Sequence, residues 1–180
     1  PRWIDIKDAN GSNGKFIEDG TAENNGSIKI NGTDSTTTEA SYGSQAQNGT
    51  MLNTGAIDMD VILSGDADSY GMYGENSASA TNAATGKITF TRKGTGMYTT
   101  QGTNTNHGQI VMNGIGSTGM ASESGAVLNG KTGSIQLVSG TGIKSTSGSV
   151  TNQGSINISQ GDDSVGISSG SNAVNDKDAT

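Results

Sequence analysis

Large apolar residues in this chain recur in pairs, two positions apart, with a mostly polar residue between the two members. The first members are Ile4, Ile28, Ile57, Ile88, Ile110, Ile135 and Ile156, and the second members are Ile6, Ile30, Met59, Phe90, Met112, Leu137 and Ile158. Alternation with a period of two predicts a β-strand with one buried face. Successive pairs are 21 to 31 residues apart, an interval typical of solenoid repeats.

Two further sequence motifs recur with these pairs. Glycine followed by a large apolar residue gives a third column of Met72, Met97, Met120, Ile143 and Ile167, and an apolar residue close to Asn recurs at 51–53, 126–129 and 149–152. Three short strands and three corners fit into each repeat of roughly 25 residues. We therefore predict an all-β fold, a right-handed parallel β-helix of about seven coils with 21 to 31 residues each.

The corners between the strands carry asparagine and glycine. Asparagine stands two residues before the corner glycine at Asn24, Asn53, Asn106 and Asn152, whereas the coils with Gly86 and Gly133 depart from this spacing. Both residue types accept the backbone angles of tight corners. Stacked asparagines also form side-chain hydrogen-bond ladders, which we expect along this β-helix.

Composition is compatible with this fold, although it first suggests disorder. Gly, Ser, Thr and Asn make up about half of the 180 residues, and Ile, Leu, Val and Phe only about 16%. The net charge is only −7 and there is one proline, so the usual marks of a disordered chain are weak. A β-helix needs few apolar side chains, because each coil hydrogen-bonds to the coils above and below it.

Charge restricts the partners, whereas cysteine content leaves the compartment open. The acidic balance argues against binding to nucleic acid or to anionic membrane surfaces. No apolar run approaches the roughly 18 residues of a membrane-spanning helix. The absence of cysteine is compatible with a cytosolic protein, and equally with a surface protein that must stay unfolded in the oxidising periplasm.

We predict a single β-helix segment over 1–180, cut from a longer protein. Its coils are longer and decorated over 1–85 and leaner over 86–180. In a solenoid, extra length leaves the coil as a loop on one side. The stretches 31–50 and 64–85 are therefore predicted to be the decorating loops.

The motif N-x-G-x-I followed by x-G-M or x-G-I, in a cysteine-free chain rich in Gly, Ser, Thr and Asn, resembles the passenger domain of type V autotransporters. The resemblance covers about 4–168 and is greatest to the large fusobacterial-type autotransporter adhesins, while filamentous haemagglutinin-like exoproteins share the solenoid and are an alternative. It implies a rod on the bacterial cell surface, anchored at the outer membrane by a C-terminal barrel outside this stretch. It also implies attachment to a protein or glycan receptor on host or bacterial cells, and we expect a monomer.

Candidate catalytic and metal-binding residues are few. His107 is the only histidine and has no cysteine to accompany it, so we expect an exposed corner residue. Carboxylates two positions apart, such as Asp66 and Asp68, can share a calcium ion. A turn role is nevertheless the expected one for them and for Asp162 and Asp163. The sequence predicts no cofactor.

An enzyme is the first alternative to an adhesin. Asp58 and Asp60 alternate outward on one strand, Lys29 and Thr89 occupy the place of Asp58 on the adjacent coils, and Arg92 follows nearby. Pectate lyases and related β-helix enzymes build their sites from such side chains on neighbouring coils. Glycosidases need two well-placed carboxylates, and this cluster is thin, so we predict no enzymatic activity. A ligand-free spacer of the passenger stalk is the other alternative.

Aromatic side chains mark the predicted binding surface. Tyr73 and Tyr98 each follow a methionine of the third column, so they should face outward and stack on adjacent coils. Such a patch can hold a sugar ring or an anchor residue of a protein partner, although packing that merely seals the surface is the alternative. Together with the predicted loops, the surface comprises Tyr42, Asp66, Asp68, Tyr70, Tyr73 and Tyr98.

Overall fold

The computed structural model describes residues 3–7, 11–32, 39–62, 68–161, 163–176 and 178–180. Within these ranges it contains 21 β-strands in three parallel sheets of seven strands, and the chain visits the three sheets in turn. This arrangement confirms the predicted β-helix of about seven coils. No helix among the described residues is long and apolar enough to span a membrane.

The first sheet holds one strand from each coil. Its strands are β1 (Trp3–Ile6), β4 (Ser27–Gly32), β7 (Ala56–Val61), β10 (Lys87–Phe90), β13 (Gln109–Met112), β16 (Ser134–Leu137) and β19 (Ser155–Ile158). The second sheet consists of β2 (Asn13–Ile17), β5 (Tyr42–Ala46), β8 (Tyr70–Gly74), β11 (Thr95–Thr99), β14 (Ser117–Ser122), β17 (Gly140–Ser145) and β20 (Val165–Ser169). The third sheet consists of β3 (Thr21–Asn24), β6 (Thr50–Asn53), β9 (Ser79–Asn82), β12 (Asn104–Asn106), β15 (Val127–Asn129), β18 (Val150–Asn152) and β21 (Ala173–Asn175).

Both apolar columns of the first sheet are confirmed by the strand register. Ile88 pairs with Ile57 on one side and with Ile110 on the other, and the pairs run without a slip from β1 to β19. The isoleucines of the inner coils are fully buried, whereas Ile4 and Ile156 in the end coils are only partly covered. Stacking equivalent side chains therefore builds a continuous core from few apolar residues per coil.

The glycine of the second sheet has a packing role. A Cβ on Gly96 would lie 2.7 Å from Ile110 Cγ2 and 2.5 Å from the carbonyl oxygen of Gly119, closer than real contacts allow. A Cβ on Gly71 would likewise lie 2.6 Å from Ile88 Cγ2. Glycine thus lets the second sheet approach the isoleucine column of the first, and the methionine that follows enters the core.

One asparagine per coil ends each strand of the third sheet and forms the asparagine ladder. Its members are Asn24, Asn53, Asn82, Asn106, Asn129, Asn152 and Asn175. In all six steps, Nδ2 donates a hydrogen bond of 2.8 Å to Oδ1 in the following coil. The departures at Gly86 and Gly133 do not interrupt the ladder, because a backbone turn absorbs the two extra residues in each of these corners.

The predicted loops 31–50 and 64–85 need a correction. The first contains the end of β4, all of β5 and the first residue of β6, and the second contains β8 and β9. The stretches 33–38 and 63–67 lie outside the described residues. Because Gly43 and Gly71 extend the glycine column, the phrases around them are ordinary members of the second sheet.

Candidate functional site

Four tyrosines form one cluster on the outer face of the second sheet, here called the tyrosine patch. Tyr42 begins β5, Tyr70 and Tyr73 lie on β8, and Tyr98 lies on β11. Tyr42 pairs with Tyr70, and Tyr73 pairs with Tyr98, so the patch covers three successive coils. All four rings are partly exposed.

Glycine also explains why two tyrosines of one strand share a face. Strict alternation would place Tyr70 and Tyr73, three residues apart, on opposite faces. Instead, Gly71 and Met72 are both buried between them, and both tyrosines reach the surface. Strand β11 repeats this pattern, with Thr95 in the place of Tyr70 and Tyr98 in the place of Tyr73.

The four rings contact one another in a continuous network. Tyr42 and Tyr70 stack with centroids 5.6 Å apart and planes 9° apart, and Tyr73 and Tyr98 stack at 5.3 Å and 6°. Tilted contacts of 4.8 to 5.5 Å connect the two stacks. Offset and tilted pairs of this kind stabilise each other by about 0.5 to 1.5 kcal/mol. The patch is therefore ordered without a ligand.

Charged and polar side chains border the patch. The Tyr98 hydroxyl donates a hydrogen bond of 2.5 Å to Oε1 of Glu123, and Oγ1 of Thr95 donates one of 3.3 Å to Oδ2 of Asp68. The ammonium of Lys93 lies 3.6 Å from Oδ1 of Asp68, an ion pair that is too long for a hydrogen bond. These contacts fix the rim of the patch.

The surroundings of the four phenols disfavour their ionised form. Burial, followed by the nearby charge of Asp68, raises the pKa of Tyr70 to about 12. Burial and the hydrogen bond to Glu123 raise the pKa of Tyr98 even further. Burial and the charge of Glu75 also raise the pKa values of Tyr42 and Tyr73. At neutral pH the patch thus offers neutral hydroxyls to a partner.

Five of the six residues predicted for the binding surface lie in or beside the patch, and Asp66 lies outside the described residues. The sequence reasoning missed Glu123 and the side chains of the next two coils. The strand register identifies these coils, because the position of Tyr98 is occupied by Ala121 in the next coil and by Lys144 in the one after it.

The remaining candidates are less concentrated. Lys29, Asp58 and Thr89 are neighbours across adjacent strands of the first sheet and line a shallow groove, where Arg92 Nε donates to Oδ1 of Asp60 at 3.2 Å. Within the described ranges, no group of three His, Cys, Asp or Glu side chains is placed to hold a metal ion. Asp162 lies outside those ranges.

Comparison with known proteins gives one match. The family model described as the BigA third pectate lyase-like domain matches residues 5–180. Comparisons with curated proteins and with solved structures find no match. The match agrees with the parallel β-helix and is consistent with a passenger domain. Because it extends over all seven coils, the chain belongs to the family of BigA third pectate lyase-like domains.

Proposed function

We propose that this chain is an adhesive segment of an autotransporter passenger, displayed on the bacterial cell surface and anchored at the outer membrane. In this role it attaches the bacterium to host cells or to other bacteria. The observation that carries the proposal is the tyrosine patch, an ordered aromatic surface on the outside of a rod. The family match supports a passenger-type β-helix. A role in attachment is what the resemblance of the repeat motif to autotransporter adhesins implies.

The physical basis is rigid display. Parallel strand pairing adds about 4.8 Å of rod per coil and leaves the outer side chains free for contact. Tyrosine supplies a large contact area with only two side-chain torsions, so little conformational entropy is lost on binding. Ring–ring contacts restrict the patch further before the partner arrives. No catalytic step is needed for this function.

Cell attachment tests the proposal directly. The chain is immobilised on beads, and bound bacteria and epithelial cells are counted. The variant in which Tyr42, Tyr70 and Tyr73 are all replaced by serine should lose most attachment, because it removes three of the four rings of the patch but leaves the core intact. Circular dichroism confirms that the variant is folded.

A matched control replaces apolar residues on another sheet. Leu52 and Leu128 lie at outward positions of the third sheet, and both are changed to serine. This control should bind cells as the unaltered chain does. Attachment to the unaltered chain no greater than to bare beads would instead support the ligand-free spacer, and equal attachment above that level to the chain and to the tyrosine variant would overturn the role of the tyrosine patch.

A carbohydrate-active enzyme is the second candidate, favoured by the groove of Lys29, Asp58 and Asp60 on the first sheet. Arg92 already neutralises one of the two carboxylates there, which makes the groove a weak candidate for catalysis. Incubation of the chain with polygalacturonate and other acidic polysaccharides tests it. Release of unsaturated or reducing ends, abolished in Asp58→Asn, would favour the enzyme over the adhesin.

A further inference from the structure

The aromatic column of the second sheet ends abruptly. Gln45, Tyr73, Tyr98, Ala121 and Lys144 occupy the same outward position in five successive coils. Each coil adds about 4.8 Å, which is close to the 5.3 Å between the centroids of Tyr73 and Tyr98. At Ala121 the column therefore lacks a ring, and the far face of Tyr98 has no aromatic neighbour.

A groove lies where that ring is missing. It has a volume of about 260 Å³, and its lining includes Tyr70, Tyr98, Thr118, Ala121, Glu123 and Lys144. Ala121 is 8% exposed although its position faces outward, so it forms the floor of the groove between taller side chains. Ligand pockets for drug-sized molecules are usually larger, about 300 to 1,000 Å³. This groove therefore suits a single ring.

The walls of the groove are chemically unequal. The face of Tyr98 is apolar and electron-rich, and it attracts C–H groups that carry partial positive charge. The other walls are polar, with the Thr118 hydroxyl, the carboxylate of Glu123 and the ammonium of Lys144. A pyranose has one apolar C–H face and a rim of hydroxyls, which matches this division. An aromatic protein side chain offers these groups at most one polar atom, whereas a pyranose offers several hydroxyls.

Charge selects among sugars. Glu123 and Lys144 contribute one charge of each sign, and Asp68 at the far end of the groove is paired with Lys93. These charges balance one another, so the groove has no excess positive charge that would favour a carboxylated sugar over an uncharged one. Hydroxyls can both donate to Glu123 and accept from Lys144.

We propose that an uncharged pyranose of a cell-surface glycan stacks on Tyr98 above Ala121 and hydrogen-bonds to Glu123 and Lys144. This inference rests on the proposed adhesive function and names the chemical class of its receptor. The site takes one sugar ring in the place where the next tyrosine of the column would lie.

The test adds the aromatic ring that the column lacks at Ala121. Ala121→Tyr should extend the aromatic column and reduce glycan binding to background, as measured on an array of neutral and acidic oligosaccharides. Ala126→Tyr, at an exposed corner position, adds the same side chain elsewhere and should bind as the unaltered chain does. Glu123→Gln keeps the shape of the groove, and should weaken binding several-fold even if Ala121→Tyr fails to fold.

Saturation-transfer NMR with methyl hexosides and N-acetylhexosaminides should show the strongest transfer to the C–H face of the sugar. Binding that survives Ala121→Tyr in a folded protein, or that is restricted to acidic sugars, would overturn the inference. Competition by phenylalanine-containing peptides but by no sugar would also overturn it. The adhesive proposal is tested separately, since loss of attachment in the Tyr42, Tyr70 and Tyr73 variant upholds it whatever Ala121→Tyr does.

Discussion

Replacement of Asn106 by alanine removes one rung of the asparagine ladder and should lower the free energy of unfolding by about 2 to 6 kcal/mol. The residue lies in a central coil and is fully buried. Its Oδ1 accepts a hydrogen bond of 2.8 Å from Asn82 and one of 3.2 Å from the backbone of Gly108, and its Nδ2 donates one of 2.8 Å to Asn129. Alanine ends all three contacts at once.

The magnitude follows from what the neighbours lose. Nδ2 of Asn82 keeps longer contacts to the carbonyl oxygens of Gly86 and Gln109, so its cost is small. The Oδ1 of Asn129 and the N–H of Gly108 lose their side-chain partner in a region without room for bulk water. An unsatisfied buried polar group costs about 1 to 3 kcal/mol, and two of them give the stated range.

Urea unfolding followed by circular dichroism measures the change, with the slope of the transition compared between variants. Asn113→Ala is the matched control, because Asn113 is exposed and lies outside the ladder, and its effect should stay within about 0.5 kcal/mol. If Asn106→Ala were as stable as Asn113→Ala, the ladder would contribute nothing and the reasoning would be refuted.

A second substitution at the same position separates hydrogen bonding from packing. Asn106→Asp has nearly the same shape, but at neutral pH its carboxylate would face Oδ1 of Asn129. Burial and this acceptor should raise the pKa of the new carboxyl above its unfolded value near 3.9. Stability is then lost as the pH rises above that value, and it should recover as the pH falls and the protonated carboxyl donates to Asn129. A destabilisation independent of pH would indicate a packing defect instead.

Two further predictions concern the second sheet. Gly96→Ala should destabilise the fold by about 1 to 3 kcal/mol, because its Cβ would collide with Ile110. In Gly166→Ala, in the same column, the added Cβ meets nothing within 4 Å, so this control should be nearly neutral. The urea midpoints of the two variants measure the difference. Because burial raises the pKa of Tyr70 to about 12, and the unfolded chain ionises near pH 10, stability should fall as the pH rises between these values. Tyr70→Phe should show a flatter alkaline dependence in the same urea series, and an unchanged slope would contradict the shift.

The repeating core could be predicted from the sequence because like residues stack on like. Ile88, Ile57 and Ile110 recur at the same point of each phrase, and parallel pairing in register is the arrangement that buries all of them. The continuity of the asparagine ladder could not be predicted from spacing. Asn82 and Asn129 stand farther from the corner glycine than their equivalents, and only the geometry of the corner shows that the extra residues bulge without displacing the side chain.

The tyrosine patch was only partly predictable. Tyr73 and Tyr98 follow column methionines, and period-two alternation places both outward. Tyr70 breaks that alternation, because two consecutive residues point inward after it. The groove beside Tyr98 exists because Ala121 has no aromatic ring at the position that follows Tyr98 in the column. The sequence indicates this only once the strand register shows that Ala121 occupies that position.

The asparagine ladder also has a direction. Six of the seven amides of the described ladder donate to the following coil, so their side-chain dipoles point the same way, toward the C-terminal end, and add along the axis of the rod. Each bond polarises the next, as in other hydrogen-bonded chains. A whole coil could therefore be duplicated or removed without a mismatch, whereas a coil inserted in the reverse sense would set donor against donor.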